Sequence, residues 1–462
     1  MKNALIAVII ALPLFSLAQP FRGDRFKQLE EELPTPNTYR TASGAPGHQY
    51  WQQRADYVMN IELKDETQEI FGTEVITYTN NSPDALDYLW LQLDQNGMAK
   101  TSDSYKTRQT SIDSKMSYKG IVNLEPWFDG GFKLDYVKDA VGKDLHYVVN
   151  KTMMRIDLPQ ALRAGGTYSF KIKWHYNIND RMKLGGRSGY EYFEDDKNYL
   201  YTIAQFYPRM CAYMDYQGWQ HKQFLGAGEF TLDFGNFDVS ITVPSDHVVG
   251  ATGDFVNPGE VLASANLKKY NQAKSSYDEP VIIFNEQEAR DREPNRATAT
   301  KTWKFRATNV RDFAFSTSRK FIWDAMAVKI GDRTTMAMSL YPKEGNPLWE
   351  QYSTKVVAHT LRTYSKFTVD YPYPVAYSVH ANDIGMEYPM MCFNYGRPEK
   401  DGTYSQNLKY GMIGVIIHEV GHNFFPMIIN SDERQWTWMD EGLNTFCQFL
   451  TEQELERNYP SR

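Results

Sequence analysis

Tyr168-Ser169-Phe170-Lys171-Ile172-Lys173-Trp174 alternates bulky and polar side chains residue by residue. Successive side chains of a strand point to opposite faces, so this run buries one face and leaves the other wet. The same period of two governs Tyr57, Met59, Ile61 and Leu63, then Leu89, Leu91 and Leu93, then Phe237, Val239, Ile241 and Val243. A turn at Asn80-Asn81-Ser82-Pro83-Asp84 precedes the second of these. Strands recur as far as Trp303-Lys304-Phe305, with no helical unit of comparable strength among them. Residues 50–317 therefore read as an N-terminal all-β domain, an antiparallel sandwich or saddle. A short helix at 262–273 and a charge-rich loop at 285–296 read as surface insertions, and no internal repeat is visible.

Beyond residue 318 the pattern changes. Val356, Val357, Leu361 and Tyr364 recur at helical spacing within 348–367. Tyr371-Pro372-Tyr373-Pro374 breaks that helix, and 376–379 reads as a short strand. Residues 407–424 and 437–457 read as two further helices, which makes 318–462 an α+β domain. The chain is thus multidomain, as its 462 residues allow.

Composition narrows the function. A net charge of −7 concentrates too little Lys and Arg to displace the counterions of a nucleic acid, so nucleic acid is excluded as the main partner. Lys2 followed by the apolar run from Ala4 to Leu17 and the small residues of Ser16-Leu17-Ala18 reads as a signal peptide over 1–18. The mature chain is expected to begin at Gln19, with a flexible lead-in over 19–49. An exported protein, periplasmic or extracellular, follows from that reading. No later stretch is long and apolar enough for stable membrane insertion after cleavage. Cys211, Cys392 and Cys447 show no paired spacing and read as small buried hydrophobes.

The chemistry gathers at His418-Glu419-Val420-Gly421-His422, an H-E-x-x-H sequence. Residues four apart on a helix lie on one face, so both imidazoles can meet a single Zn²⁺ ion. Glu419 is placed to act as general base on a water activated by that ion. Gly414-Val415-Ile416-Ile417 is apolar enough to bury the helix and dry the site. Glu441, 19 residues beyond His422 on the next helix, completes a His₂Glu set with one position left open. That is the catalytic rather than the structural zinc arrangement. His359, His380 and the other histidines show no second ligand spacing.

This constellation resembles the gluzincin zinc peptidases, and within them the membrane alanyl aminopeptidase family. That family pairs H-E-x-x-H with a Glu after eighteen intervening residues, as here, and carries a G-x-M-E-N strand motif upstream. The matching stretch is Ile384-Gly385-Met386-Glu387-Tyr388, with Ile384 in place of the first Gly and Tyr388 in place of the Asn. The resemblance implies a thermolysin-like catalytic domain after the β domain, one zinc ion, and peptide substrates with a free N-terminus. It implies substrate binding by Gly385, Met386 and Glu387, with Glu387 holding the α-ammonium through a charge-assisted hydrogen bond. Gln205 is a candidate partner for the same amine. The family's oxyanion-stabilising Tyr lies well downstream of the third ligand. This chain ends 21 residues after Glu441, so a fragment lacking that Tyr and the following helical lobe is expected. Nothing in the sequence supports Tyr395 or Tyr404 as its substitute. Two other readings stay open: a zinc endopeptidase with the same ligands, and a non-catalytic zinc-bearing protein that binds peptides.

Overall fold

The alternating runs pair as a seven-stranded sheet. Its order is Asp254–Phe255, Thr300–Val310, Gly235–Pro244, Arg54–Lys64, Glu69–Thr79, Thr167–Asn177 and Lys133–Asp139. Ala55, Tyr57, Met59, Ile61 and Leu63 point inward from the central strand, and Phe170, Ile172, Trp174 and Tyr176 do so from Thr167–Asn177. This structure is a computed structural model that describes residues 36–461 apart from 104–105, 107–114, 119–120, 122–127 and 229. The expected signal peptide over 1–18 and residues 19–35 of the expected lead-in lie outside the described residues. Residues 1–51 form a unit of their own, of which 36–51 are described and hold a bridge between Arg40 and Pro46.

Residues 52–462 form the second unit. Beside the large sheet it holds a four-stranded sheet ordered Arg209–Met210, Leu86–Gln92, Met153–Leu162, Tyr147–Asn150. A second four-stranded sheet is ordered Val248–Ala251, Phe315–Ser318, Asn198–Ile203, Gly189–Phe193. One expectation needs correction: the β region is not wholly antiparallel. Arg54–Lys64 and Gly235–Pro244 run parallel, with Tyr57 opposite Phe237. No hairpin joins strands so far apart in the chain, so no turn dictates their direction.

The later part is built on a mixed five-stranded sheet. Its order is Val281–Phe284, Ile322–Ile330, Arg333–Tyr341, Val375–His380, Met391–Asn394, and its last two pairings are parallel. The strands from Ile322 onward are buried on both faces, the mark of a sheet covered on each side. The helix Leu348–Phe367 packs on one face, where Ser353 Oγ bonds Ser339 Oγ (2.8 Å) and Ser378 Oγ (3.1 Å).

Two readings of the 262–296 stretch are corrected as well. It is no surface insertion: Tyr270 and Ala273 of the helix Ser264–Ala273 are buried, and the Tyr270 ring lies 5.5 Å from that of Trp323. Val281–Phe284 then supplies the edge strand of the five-stranded sheet. The expected charged loop is a helix, Glu286–Arg292, closed by a capping box between Asn285 and Glu288. Asn followed three residues later by Glu was the available signal. Among the described residues no helix is long and apolar enough to cross a membrane.

Candidate metal centre and its cleft

The helix Gln406–Gly421 begins at Ser405, whose hydroxyl accepts from the Leu408 amide (3.1 Å). Met412, Ile413, Ile416, Ile417 and Val420 bury it. Gly421 is dictated by space: a Cβ there would stand 2.2 Å from Tyr364 Oη and 2.3 Å from Asn444 Oδ1. Those two groups are bonded to each other (2.8 Å), and Asn444 Nδ2 donates to the His418 carbonyl (2.9 Å). The second helix, Trp438–Leu455, turns Asp440, Asn444, Cys447 and Thr451 inward, a helical stripe flanked by Glu441 and Gln448.

Three ligand atoms meet where these helices cross. His418 Nε2 lies 3.0 Å from His422 Nε2, and Glu441 Oε2 lies 3.3 Å and 3.6 Å from them respectively. Ligand atoms 2.0–2.1 Å from a tetrahedral zinc stand roughly 3.4 Å apart, so the set fits the ion. The other ring nitrogens are already engaged. His418 Nδ1 donates to Gln448 Oε1 (2.9 Å), and His422 Nδ1 faces the Phe425 carbonyl and Asp440 Oδ1, each at 2.8 Å. Such partners fix the tautomer that leaves Nε2 free for a metal. Hydrogen bonds to both histidines hold the Glu441 carboxyl well below its usual range. Glu441 remains half exposed, with 51% of its side chain accessible, so the site has an open side.

Glu419 lies on the inner side of the same helix. Burial, reinforced by Glu441, pushes its carboxyl up to about 8, while His422 and Arg187 pull the other way. Gly385 abuts it: a Cβ there would fall 2.3 Å from Glu419 Oε1. Glu387 is buried too, and burial raises its carboxyl well above the usual range. Glu387, His422 and Asp440 offer oxygen and nitrogen atoms within 4.8 Å of one another. The stretch carrying Glu387 differs from a regular strand. Met386 and Phe393 exchange both backbone hydrogen bonds (2.9 and 2.8 Å), as do Tyr388 and Met391 (3.0 Å each), around a tight turn at Pro389-Met390. Met386 and Glu387 are both buried, while Gly385 abuts Glu419 directly.

The facing wall comes from the β region, and most of it escaped the sequence reading. Tyr388 Oη donates to Gln205 Oε1 (3.0 Å), and Gln205 Nε2 donates to Asp94 Oδ2 (2.8 Å). Arg209 is clamped between Asp94 and Asp312, and Tyr207 Oη donates to Asp312 (2.7 Å). Gln205 has φ of 51°, a left-handed backbone that a non-glycine residue adopts at some cost. Arg187 adds positive charge that acts on Glu419, Glu433 and Tyr388. A cavity of about 530 Å³ opens beside Asp94, Arg187, Gln205 and Ile384. Asn444 and Gln448 could have been found by stepping three and then four residues along the helix from Glu441, and Asp440 by stepping four back from Asn444. Asp94 and Arg187 carried no local signal. Tyr404 Oη donates to Gln351 (2.8 Å), and Tyr395 Oη lies 3.4 Å from where a Gly411 Cβ would sit.

No family model matches the sequence, nor does any curated protein. Solved structures do match the fold. A crystal structure of an M1 zinc metallopeptidase from Deinococcus radiodurans superposes with a TM-score of 0.52 at 14% identity, over 89% of this chain and 72% of that one. A mutant of an M1 zinc metallopeptidase from the same organism, bound to a Tyr-Ser-Ala substrate, gives 0.51 at 13% identity over 90% and 74%. A two-domain M1 zinc metallopeptidase mutant bound to L-tryptophan gives 0.51 at 13% over 89% and 73%. The chain shares the fold of these zinc metallopeptidases at the level of its β sheets and the helices that follow them.

Proposed function

We propose that this chain is a zinc-dependent aminopeptidase that removes N-terminal residues from peptides. The observation that carries the reading is the convergence of His418, His422 and Glu441 on one point, with two buried carboxyls, Glu419 and Glu387, beside it. A bound zinc ion would supply Lewis acidity toward the scissile carbonyl and a water molecule. Glu419 would take the proton from the attacking water and pass it to the leaving amine. Glu387 receives the substrate ammonium, whose charge stabilises a carboxylate that burial alone disfavours. The mutant neighbours bound to L-tryptophan and to a Tyr-Ser-Ala substrate support a peptide substrate. The signal-like N-terminus supports action in the periplasm or outside the cell.

A zinc endopeptidase with the same ligands is the second reading. The half-exposed Glu441 and the 64% exposed Trp438 favour it, because a chain could run past the metal on that side. Metal analysis tests what the two readings share. A single zinc ion per chain is expected in the wild type and in Glu419→Gln, and its loss in His422→Ala. Full zinc retention by His422→Ala would overturn the assignment.

A further inference from the structure

We infer that Arg434 is a positioning residue that sets the distance between the third metal ligand, Glu441, and the segment that receives the substrate ammonium. This rests on the aminopeptidase reading. An enzyme that cuts after one residue must hold the free amine and the scissile carbonyl at a fixed separation. Here the groups that hold them stand on different parts of the cleft, so a contact between its two walls has to fix that separation.

Arg434 makes such a contact. It lies on the short helix Glu433–Trp436, which runs into Trp438–Leu455 through Thr437 in helical conformation. Thr437 Oγ1 donates to the Glu433 carbonyl (3.0 Å), and the Asp440 and Glu441 amides donate to the Thr437 carbonyl (3.1 and 2.9 Å). Arg434 therefore stands about two turns before Glu441, a rise of about 10 Å. Its side chain is buried against the β region. Nε donates to the Gly228 carbonyl (2.7 Å), Nη1 to the Lys222 carbonyl (2.6 Å) and Nη2 to Gln92 Oε1 (3.0 Å). A Cβ on Gly228 would lie 2.9 Å from Arg434 Cγ, at a φ of 78° that already favours glycine.

The contact continues to the ammonium site. Nη2 faces Asp94 Oδ1 at 3.9 Å, a buried oxygen that has no hydrogen bond among the described residues. The other Asp94 oxygen accepts from Gln205, and Gln205 accepts from Tyr388, the neighbour of Glu387. One guanidinium thus ties the helix of Glu441 to the group that braces the Glu387 segment. A planar fork suits this task, because its donors point in fixed directions where an ammonium is a single point charge.

Fluorogenic alanyl and β-alanyl amides read the distance, since the second inserts one methylene between the amine and the scissile carbonyl. Zinc-loaded wild type is expected to favour the alanyl substrate at least about tenfold in kcat/KM. Arg434→Ala should lower that ratio at least about threefold with its zinc content held. A smaller folded fraction would cut both rates alike and leave the ratio unchanged. Guanidinium ion at millimolar concentration should restore the ratio in Arg434→Ala, and urea, its neutral analogue, should not. Arg434→Lys keeps the charge and loses the fork, so it should show the lowered ratio even where Arg434→Ala fails to fold. No alanyl preference in the wild type, a wild-type ratio in either folded variant, loss of zinc from them, or a lowered ratio that guanidinium leaves unchanged would overturn the inference alone. Wild type that cleaves an N-acetylated alanyl substrate as fast as the free amine, or cleaves neither, would overturn the aminopeptidase reading with it.

Discussion

The two walls of the cleft are assembled over different distances along the chain. The helical wall takes His418, Glu419, His422, Asp440, Glu441, Asn444 and Gln448 from about thirty consecutive residues, and helix geometry alone aims most of them. The β wall takes Asp94, Arg187, and Gln205 with Arg209 from three separate segments, held by buried hydrogen bonds and ion pairs. Chemistry that rests on short-range spacing can therefore be carried by a few residues. The arrangement of the β wall rests on the whole β fold being in place.

That contrast can be broken in four places. The largest effect belongs to the helical wall. Glu419→Gln should lower kcat by roughly 10²–10⁴-fold while zinc content holds, and turnover near wild type would remove the general base from the account. On the β wall, Arg209→Met strands two carboxylates, Asp94 and Asp312, in a fully buried setting. Urea denaturation should show a loss of about 3–5 kcal/mol. A change below about 1 kcal/mol would mean that the ion pairs do not hold that wall together.

Behind the helical wall, Asp324 is buried and accepts hydrogen bonds from Tyr341 (2.7 Å) and Thr354. Burial raises its carboxyl from 3.8 to about 7, despite those two bonds. The unfolded chain thus releases this proton first. The contribution is complete below pH 3.8 and is lost progressively as pH rises to about 7. Asp324→Asn should gain stability over the wild type across that window, by up to about 4 kcal/mol. Parallel pH profiles of the two proteins would contradict the assignment. The smallest effect is expected at Gln448, which orients His418. Gln448→Ala should weaken zinc affinity about 10–100-fold, measured by chelator competition. An unchanged affinity would show that Asn444 and the helix suffice to aim the ring.

How much of this was legible in the sequence follows the same division. Period two exposed the strands around Tyr57, Phe170 and Phe237 because each buries a single face. It said nothing of their partners, and the parallel pairing of Arg54–Lys64 with Gly235–Pro244 is the consequence. Val281–Phe284 was missed for a related reason, since four residues are too few to display a period. At the site, His418, Glu419, His422 and Glu441 were readable from spacing, and Glu387 only through a resemblance. Gly385 and Gly421 acquire a physical reason only in three dimensions, from Glu419 in one case and from Tyr364 with Asn444 in the other. Arg187 and Asp94 reach the cleft through long-range packing, which leaves no periodic trace.

The most direct test of the central claim compares matched aminoacyl fluorogenic substrates, one with a free amine and one N-acetylated, on zinc-loaded protein. The account predicts cleavage of the free-amine substrate alone, because Glu387 needs an ammonium to receive. Equal cleavage of both, or cleavage of neither by protein carrying its full complement of zinc, would contradict it.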